Sequence, residues 1–563
     1  MREKSAIRNP QSAIKGLFGV STSPSEGRRR WQAEQRRKNI LRFSLLALLV
    51  LTIAGAGATF FIKQTAVEAE TPLEFAGKII NVRRGGNFQT ALNQARPGDT
   101  IVLEAGAEFV GSFELPNKEG EGVVTIQSSR AAELPENVRV KPEQAALMPK
   151  ILSPGKGVPV ITTAPRAHHY RFVGVEFSSK GDYVYNLLDL GSDGYKKLEE
   201  FPHHFEFDRV YVHVDALNKA RRGFALNNSD TVIKNSYIAG FAGEQDETQA
   251  IASWNGVGRF KIINNHIEAG GENVLFGGGD PSIKDLVPTD IELRNNLITK
   301  PQEWRGRATM KYTLEIKNAR KVQIVGNIIE NCFDCIAVGL TVRNQNGTAP
   351  WSTIEDIEIR DNIIRRASAA INLLGTDDNF KSQRMKRVRV VNNLITDIDS
   401  VKWGNNSGGG YFVQLAGTED VEIAHNTVFN DGNMITAHGE PNARFIFRYN
   451  ILPHNDYGLF GNEGGVSLSM LGKHLPGSTF INNVIVNNRG VAADSMLIPP
   501  RNFPAMTFPD VGFTNFRAGD YSLKTGSRYK GKADAGKDYG CDFAQLNKTI
   551  AGVETSAQLA VNK

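Results

Sequence analysis

The sequence predicts an all-β solenoid, built from short strands that stack in successive coils. A pattern of alternating apolar residues that ends in asparagine recurs along the chain at intervals of 24 to 35 residues. A second strand-like segment precedes most of these recurrences, and turn residues separate the two. The period of two excludes helical repeats, and so short a unit buries its apolar side only by stacking on its neighbours.

The recurring asparagine is expected to be structural. The pattern reads apolar, any, apolar, any, any, Asn, any, apolar, as in "VQIVGNII". Asparagine tolerates the backbone angles of a bend, and its amide can hydrogen-bond the same residue one coil away, which predicts a ladder of amides. Upstream copies of the frame lack the asparagine, and with them we expect roughly eleven coils. The predicted ladder residues are Asn265, Asn296, Asn327, Asn362, Asn393, Asn426 and Asn450, with a weaker copy at Asn483.

Positive charge is concentrated at the N-terminus. The chain carries a net charge of +6, but residues 1–42 hold eleven Lys or Arg against three Asp or Glu, so the remainder is about −2. This distribution removes the electrostatic argument for a nucleic-acid-binding domain and leaves a basic tail. We expect a monomer that does not bind nucleic acid.

An apolar segment follows the basic tail. Residues 43–62 are uncharged and mostly apolar, enough to span a bilayer, and the preceding basic residues orient the N-terminus to the cytoplasm. Val67 and Ala69 form a small-residue cleavage signature, so a signal peptide removed near residue 69 competes with an uncleaved anchor. The long leader favours a single-pass anchor at the cell membrane; the alternative is a secreted or periplasmic protein. The predicted parts that follow are a linker (63–77), the solenoid (78–515) and a closing segment (516–563).

Three cysteines limit what thiol chemistry is available. Cys332 and Cys335 form "CFDC", which in an exported chain is either a local disulfide or a pair of partly buried thiols. Cys541 is left over. So few cysteines argue against a zinc site built on thiolates.

Residues 78 to 540 resemble the right-handed parallel β-helix superfamily of pectate lyases and related polysaccharide-acting proteins. "FQTALNQA" looks like the short amphipathic helix that caps the N-terminal end of such solenoids, before "GDTIVLEAG" begins the first coil. "DYSLKTGSRYKGKADAGKDYGCDF" resembles the segment that often closes them. The resemblance implies the fold but not the chemistry, because this fold hosts lyases, hydrolases, epimerases and non-enzymatic adhesins.

The strand that precedes each asparagine unit is expected to present polar side chains on a flat, groove-forming sheet. In "YTLEIKN", alternation puts Leu314 and Ile316 inward and Glu315 and Lys317 outward. Such a row suits an extended chain such as a polysaccharide. By the same rule, the outward positions on later coils are Asn372, Gln414, Thr436 and His438.

Glu315 and Lys317 are an outward acid and base at adjacent outward positions. Cleavage of a uronic-acid polymer by β-elimination needs a base with a lowered pKa and a cation on the substrate carboxylate. Lys317 and Arg343 are 26 residues apart, about one coil. The alginate-lyase and chondroitinase-B-like lyases similarly use a Lys and an Arg on successive coils, with acidic residues holding calcium. The resemblance implies a polysaccharide lyase with Lys317, Arg343 and Glu315 as catalytic residues.

Other activities on the same fold stay open. "GTDDN" and "AHGE" resemble polygalacturonase-like hydrolases and make His438 a further catalytic candidate. Hydrolysis needs carboxylates that converge across one bond, and Asp378 lies 60 residues from His438, which weakens that interpretation. A uronate epimerase and a non-catalytic surface protein that binds polysaccharide are the remaining alternatives.

Metal and substrate contacts are predicted from loops near the same coils. Glu272 and Asp280, in the glycine-rich "GGENVLFGGGDP", and Asp246 supply oxygen ligands suited to Ca²⁺, although no EF-hand spacing is present and a plain glycine-rich bend is the alternative. Indole rings in loops can stack on sugars or pack beneath the loops. The predicted substrate-binding residues are Asn372, Gln414, Trp254 and Trp304.

Overall fold

A computed structural model describes residues 77–404, 409–489 and 497–554 of the chain. The predicted basic tail and the apolar segment lie outside the described residues, so the anchor stays a prediction. Within the described ranges, no helix has both the length and the apolar character that a membrane crossing requires.

Short β-strands dominate the described residues. In chain order they are β1 (Ile79–Val82), β2 (Thr100–Leu103), β3 (Glu108–Val110), β4 (Phe113–Leu115), β5 (Val124–Ser128), β6 (Lys150–Ser153), β7 (Ile161–Thr163), β8 (His168–Val173), β9 (Glu176–Ser179), β10 (Val184–Gly191), β11 (His203–Asp208), β12 (Tyr211–His213), β13 (Ala220–Asn227), β14 (Ser229–Lys234), β15 (Tyr237–Phe241), β16 (Gln249–Ser253), β17 (Lys261–Ile263), β18 (His266–Ala269), β19 (Glu272–Phe276), β20 (Thr289–Arg294), β21 (Leu297–Thr299), β22 (Tyr312–Ile316), β23 (Ala319–Val325), β24 (Ile328–Thr341), β25 (Ile354–Arg360), β26 (Ile363–Leu374), β27 (Lys386–Val391), β28 (Leu394–Ile398), β29 (Val413–Ala416), β30 (Glu419–Ala424), β31 (Thr427–Asn430), β32 (Ile435–Ala437), β33 (Ile446–Arg448), β34 (Ile451–Pro453), β35 (Leu459–Gly461), β36 (Gly465–Val466), β37 (Thr479–Ile481), β38 (Val484–Val486), β39 (Phe503–Ala505), β40 (Phe513–Asn515) and β41 (Asp520–Leu523).

Most strands form three faces, in which each strand pairs in parallel with its counterpart one coil away; β36 pairs antiparallel with β35, and β40 and β41 form a small antiparallel sheet. Face 1 is a separate sheet of fourteen strands within the described residues. Faces 2 and 3 are joined into a second large sheet by β24 and β26, which run through both. Face 1 is β1, β2, β5, β8, β11, β14, β17, β20, β23, β25, β27, β30, β33 and β37; face 2 runs from β3 and β6 to β38 and β39; face 3 runs from β4 and β7 to β32 and β35.

The core fills the space between the faces. Val274, Leu314, Val338 and Ile371 lie in register on successive strands of face 3, and all four are completely buried. One continuous apolar cluster runs from Val82 to Ile485. Parallel pairing between coils and a shared interior are the features of a parallel β-helix, so the predicted solenoid fold is confirmed.

The asparagine ladder is present inside the turns between faces 1 and 2. Asn327 donates its side-chain amide to Oδ1 of Asn362 at 3.1 Å, and the Asn327 backbone N–H donates to the same oxygen at 2.9 Å. Asn362 contacts Asn393 in the same way, at 3.0 Å for both bonds. The ladder continues one rung beyond the predicted set, from Asn483 to Asn502.

The special backbone angle lies one residue earlier than predicted. The residue before each ladder asparagine, not the asparagine itself, has a left-handed φ, for example Asn295 at 56° and Asp361 at 55°. Asn and Asp tolerate this region better than most residues. The ladder asparagine instead holds the turn through hydrogen bonds.

Four short helices and one disulfide complete the described structure. The helices are α1 (Phe88–Gln94), α2 (Leu468–His474), α3 (Phe508–Val511) and α4 (Phe543–Thr549). Helix α1 forms where the sequence predicts one, and its Phe88 ring contacts the ring of Phe113 at 4.9 Å. Cys332 and Cys335 form a disulfide where β24 passes from face 2 to face 3, and Cys541 is free and buried.

Candidate functional site

Four charged side chains converge on face 3. Lys311, just before β22, lies 3.3 Å from Glu272 of β19 and 3.5 Å from Glu315 of β22, measured between charged atoms. The Lys317 amine lies 3.6 Å from the same Glu315 oxygen, Oε2. We call Glu272, Lys311, Glu315 and Lys317 the Lys317 cluster. It brings together the predicted Glu315 and Lys317, a predicted calcium ligand and a lysine that the sequence did not single out.

The Lys317 cluster is not solvated surface. Leu314 and Ile316 point into the core as predicted, so Glu315 and Lys317 are on the opposite side of the strand. Glu315 is nevertheless only 2% exposed and Lys317 only 7%. Adjacent coils lie about 4.8 Å apart, so side chains from β19 and β24 cover them.

Burial and neighbouring charges separate the two lysines. Burial lowers the pKa of the Lys317 amine and Lys311 lowers it further, with Glu315 opposing both. Burial also acts to lower the pKa of Lys311, but the carboxylates of Glu315, Glu272 and Glu247 outweigh it and raise that pKa above its ordinary value. Lys317 is therefore the amine that gives up its proton more readily, and Lys311 stays charged.

Each buried carboxylate has one hydrogen-bonded oxygen and one oxygen that is held by ion pairs alone. Thr341 donates its hydroxyl to Glu315 Oε1 at 2.8 Å, and Gln249 donates its amide to Glu272 Oε2 at 2.8 Å. Glu315 Oε2 and Glu272 Oε1 are buried without a hydrogen bond, although they are the oxygens that face the lysines. The charges of Lys311 and Lys317 compensate these two oxygens in place of hydrogen bonds.

A polar network extends the Lys317 cluster toward earlier coils. Arg222 donates from Nε to Gln249 Oε1 at 2.9 Å and from Nη1 to Asn186 Oδ1 at 3.3 Å. Asn186 in turn donates to Asp189 at 3.2 Å, and burial raises the pKa of Asp189 to about 6. The network follows the coil axis, as a binding site for an extended ligand would.

A buried lysine fixes the turn that delivers Glu272. Lys300 is completely buried, and its amine donates to the backbone carbonyls of Ala269, Gly270 and Gly271, the three residues before Glu272. It does not touch the Lys317 cluster through a hydrogen bond, so it acts as a positioning residue.

Tyr312 covers the cluster on the side of the next coil. Its ring lies over Gly339, where a Cβ would come within 2.5 Å of Tyr312 Cε1, so only glycine fits at position 339. The Tyr312 hydroxyl accepts a hydrogen bond from Nδ2 of Asn372 at 3.0 Å, which ties this predicted substrate-binding residue to the site. Burial raises the pKa of Tyr312, so its hydroxyl stays protonated.

Gly277 lies between Trp254 and Lys317 on three successive coils. Trp254, Gly277 and Lys317 follow directly after β16, β19 and β22, at equivalent positions on three coils. Gly277 has a φ of 100°, and its missing side chain lets the two coils approach closely, because a Cβ there would lie 2.7 Å from the Lys317 Cβ. A depression of about 370 Å³ lies here, lined by Trp254, Gly277, Arg222 and Asp280 among others. Arg222 already stacks on the Trp254 ring, at 4.6 Å from its centre.

Arg343 lies one coil beyond Lys317, as its spacing predicts. Its backbone N–H donates to the Lys317 carbonyl at 3.0 Å. Its guanidinium pairs with Asp378 at 3.1 Å rather than with Glu315. Arg343 therefore borders the Lys317 cluster without joining its ion pairs.

The later predicted positions form a row but do not meet Lys317. Glu315, Gly339, Asn372, Gln414 and Thr436 occupy one register row across successive strands. His438 lies in the neighbouring row, four strand spacings from Lys317, which is roughly 19 Å at 4.8 Å per strand. The structure does not bring His438 together with the other predicted catalytic residues, Lys317, Arg343 and Glu315. Four coils separate His438 from Lys317.

The predicted calcium ligands do not converge. Asp280 accepts hydrogen bonds from Asn346 and Thr348 and joins two loops, whereas Glu272 is paired with Lys311. Asp246 is exposed on another loop. In the described part of the chain, the carboxylates of Glu272, Asp280 and Asp246 do not form a cluster that could hold one metal ion.

Trp304 is not available to stack on a sugar. It is 8% exposed and lies beneath the loop that follows β21 of face 2, where it borders a different depression. The alternative that an indole packs under a loop applies to Trp304, whereas half-buried Trp254 borders the site.

Sequence reasoning missed Lys311 and Tyr312. Both stand directly before or at the start of β22, outside the strict alternation that identified Glu315 and Lys317. In the sequence these two residues are only a Lys-Tyr pair at the beginning of a strand. Their role cannot be predicted without knowing which residues of the neighbouring coils they contact.

No protein-family model matches the chain, and no curated protein matches its sequence. Among solved structures, it is similar to the PL6 family alginate lyase AlyGC, with 11% identity, a TM-score of 0.46 and 85% of this chain covered. It is also similar to the PL6 family polysaccharide lyase from Pseudopedobacter saltans, with 11% identity, a TM-score of 0.45, and coverage of 76% of this chain and 97% of that one. A third is an alginate lyase from Paenibacillus sp. str. FPU-7, with 14% identity, a TM-score of 0.34, and coverage of 68% and 98%.

These likenesses concern the β-helix fold. The chain spans 58% of the length of AlyGC. The parallel β-helix fold of this chain is shown by its own parallel strand pairing and continuous core.

Proposed function

We propose that this protein is a polysaccharide lyase that cleaves a uronic-acid polymer by β-elimination. The observation that carries the proposal is the Lys317 cluster, in which burial lowers the pKa of Lys317 beside Glu315 and the charged Lys311 on a polar face of the solenoid. In its neutral form the Lys317 amine acts as a general base, and the depression lined by Gly277, on the preceding coil, is where a sugar ring would bind.

The Lys317 cluster supplies the other requirements of the reaction. Lys317 takes the proton from the carbon beside the uronate carboxyl group. The bond to the leaving oxygen on the adjacent carbon breaks, a double bond forms between the two carbons, and the leaving oxygen takes up a proton from water. Lys311, which stays charged, offers its cation to the substrate carboxylate, where negative charge develops. We assign the orientation of the chain to Arg343, one coil beyond Lys317, and to Asn372, which donates to the Tyr312 hydroxyl. Gln414, on the next strand, extends this row.

The test combines three polymers with one variant. The full-length chain is incubated with pectate, alginate and chondroitin, with and without Ca²⁺, and unsaturated products are followed by ultraviolet absorbance. We expect absorbance to rise with one of them, and Lys317→Ala to lower kcat at least a hundredfold, the usual scale for loss of a general base. Lys321→Ala is the matched control, because that lysine is 62% exposed on face 1.

Other products would identify the alternatives. New reducing ends without absorbance indicate a glycoside hydrolase, and inversion of a uronate without cleavage indicates an epimerase. Undiminished lyase activity in Lys317→Ala would refute the assigned base.

A non-catalytic polysaccharide-binding role is the second candidate. It is favoured by the low exposure of Lys317 and Glu315 and by their mutual neutralisation. Retention of a polymer without any product, in both the parent chain and Lys317→Ala, would establish it.

We also propose that the protein is exported and remains tethered by residues 43–62, on the strength of their apolar run after a basic tail. N-terminal sequencing of the membrane fraction tests this, since cleavage would yield a chain that begins after Ala69. We further propose that α1 caps the N-terminal end of the solenoid, supported by the contacts of Phe88. A Phe88→Ala variant with an unchanged melting temperature would oppose the cap.

A further inference from the structure

A histidine cluster lies on face 1, on strands that the proposed activity does not use. His168 and His169 begin β8, and His203 and His204 begin the adjacent strand β11. They are four of the ten histidines in the chain. The His168 ring stacks on His203 at 5.0 Å between centres, and His169 stacks on His204 at 4.6 Å.

The cluster stands at the beginning of a regular column of paired residues on face 1. Each face 1 strand from β8 to β33 has one residue with a left-handed φ of 51° to 59°. This residue lies near the start of the strand or in the turn just before it. We call these ten residues the left-handed column: His169, His204, Asp230, Arg259, Asp290, Lys321, Asp356, Arg387, Asp420 and Arg444.

Four of the five successive pairs in the left-handed column join an acid to a base. Arg259 contacts Asp230 at 2.5 Å, and Arg387 contacts Asp356 at 2.6 Å. Arg444 with Asp420 and Lys321 with Asp290 complete this set. The fifth pair, His169 with His204, has no opposite charges, and its two side chains meet by ring stacking instead of an ion pair.

The ring nitrogens of the histidine cluster face one another. The Nδ1 atoms of His168 and His169 are 2.7 Å apart, and those of His203 and His204 are 2.6 Å apart. One ring nitrogen from each of His169, His203 and His204 lies within 4.8 Å of the other two. Tetrahedral zinc with Zn–N bonds of about 2.0–2.1 Å holds its ligand nitrogens roughly 3.3 Å apart, so small ring movements suffice to reach that geometry.

We propose that the histidine cluster binds one divalent transition-metal ion, with Zn²⁺ as the expected occupant. Imidazole is the protein ligand that suits Zn²⁺, Cu²⁺ and Ni²⁺, and Ca²⁺ and Mg²⁺ prefer oxygen. His169, His203 and His204 are the ligands, and His168 or water completes the coordination. His204 is exposed and borders an open depression of about 610 Å³, so an ion has access from solvent.

The test uses the full-length chain made without a polyhistidine tag. Titration with Co²⁺ reports binding through visible absorbance, and Zn²⁺ then displaces it in competition with a chromophoric chelator. We expect one saturable equivalent per chain. The double variant His169→Gln, His204→Gln should bind Zn²⁺ at least tenfold more weakly, and the single variant His204→Gln, at an exposed position that tolerates change, should show an intermediate loss.

Matched controls separate this site from the proposed lyase site. His438→Gln removes a histidine from face 3 and should leave the Zn²⁺ affinity unchanged, as should Lys317→Ala. Absence of stoichiometric binding by the parent chain, or equal affinity in the parent and in His204→Gln, would overturn the proposal whatever the outcome of the lyase assay.

Discussion

Single residues on face 3 are held by neighbours from other coils rather than by neighbours in sequence. Glu315 takes its hydrogen bond from Thr341, which is 26 residues away, and its cation from Lys311 and Lys317. Lys300 reaches back about thirty residues to the carbonyls before Glu272. Buried charges placed in this way respond to changes at distant positions of the chain.

Lys300 should make the stability of the protein depend on pH. Burial lowers the pKa of its amine from 10.5 to about 7 in the folded chain, with Glu272 opposing. Between those two values the unfolded chain binds the extra proton, so stability rises as pH rises through this window, by up to roughly 1.4 kcal/mol per pH unit. We expect the free energy of unfolding of the parent chain, relative to that of Lys300→Met, to increase from pH 7 to pH 10.

Urea denaturation at several pH values measures that difference. Lys284→Met is the control, since Lys284 is exposed, and its difference from the parent chain should stay constant. Parallel curves for the parent chain and Lys300→Met would contradict the prediction.

The repeated element of the fold is the turn that contains the asparagine ladder. Each internal asparagine accepts from the preceding rung and donates to the next, and it also satisfies a carbonyl of an earlier coil, as Asn362 does for Ile324 at 2.8 Å. A rung therefore affects three coils. The ladder thus couples each coil to its neighbours, as is expected for the repeats of a solenoid.

Asn362→Ala should be strongly destabilising. It removes the acceptor for both N–H groups of Asn327 and the donor for the Ile324 carbonyl, and each unsatisfied buried group costs about 1–3 kcal/mol. We expect a loss of at least about 3 kcal/mol in the free energy of unfolding, measured with urea. Asn502→Ala, at the half-buried last rung, should cost less because water reaches it.

The exposed loop residue Asn379 provides the reference for that series. Asn379→Ala should change the free energy of unfolding by less than about 0.5 kcal/mol. The ladder would lose its assigned role if Asn362→Ala and Asn379→Ala were equally stable.

At the scale of the whole molecule, the end of the chain ties together coils that are not neighbours. We call residues 541–554 the C-terminal strap. Its Cys541 N–H donates to Thr427, and the Val553 carbonyl accepts from Arg139, 414 residues earlier. Leu546 of the strap is completely buried and packs with Leu394. A solenoid otherwise joins only adjacent repeats, so the strap adds long-range coupling.

Removal of the C-terminal strap should weaken and broaden unfolding. A chain that ends at residue 540 exposes Leu297, Ile328 and Leu394 and leaves the largely buried Arg139 without the Val553 carbonyl. We expect a lower melting temperature and a less cooperative transition by circular dichroism. A chain that ends at residue 554 is the control, and superimposable transitions for the two truncations would show that the strap couples nothing.

The sequence by itself determined the period of the fold. Alternation placed Leu314 and Ile316 in the core, and the recurring pattern located the ladder from Asn265 to Asn483, because inward and outward positions follow from the pleat of a single strand. It also placed Arg343 one coil from Lys317.

Only the tertiary structure decided which side chains meet. The loops between coils vary in length, so spacing along the chain does not fix the register that puts Lys311 beside Glu272 or Tyr312 over Gly339. The same register separates His438 from Lys317 by four coils and brings His169 onto His204. Contacts between coils depend on this stacking, which the alternating pattern of one strand does not contain.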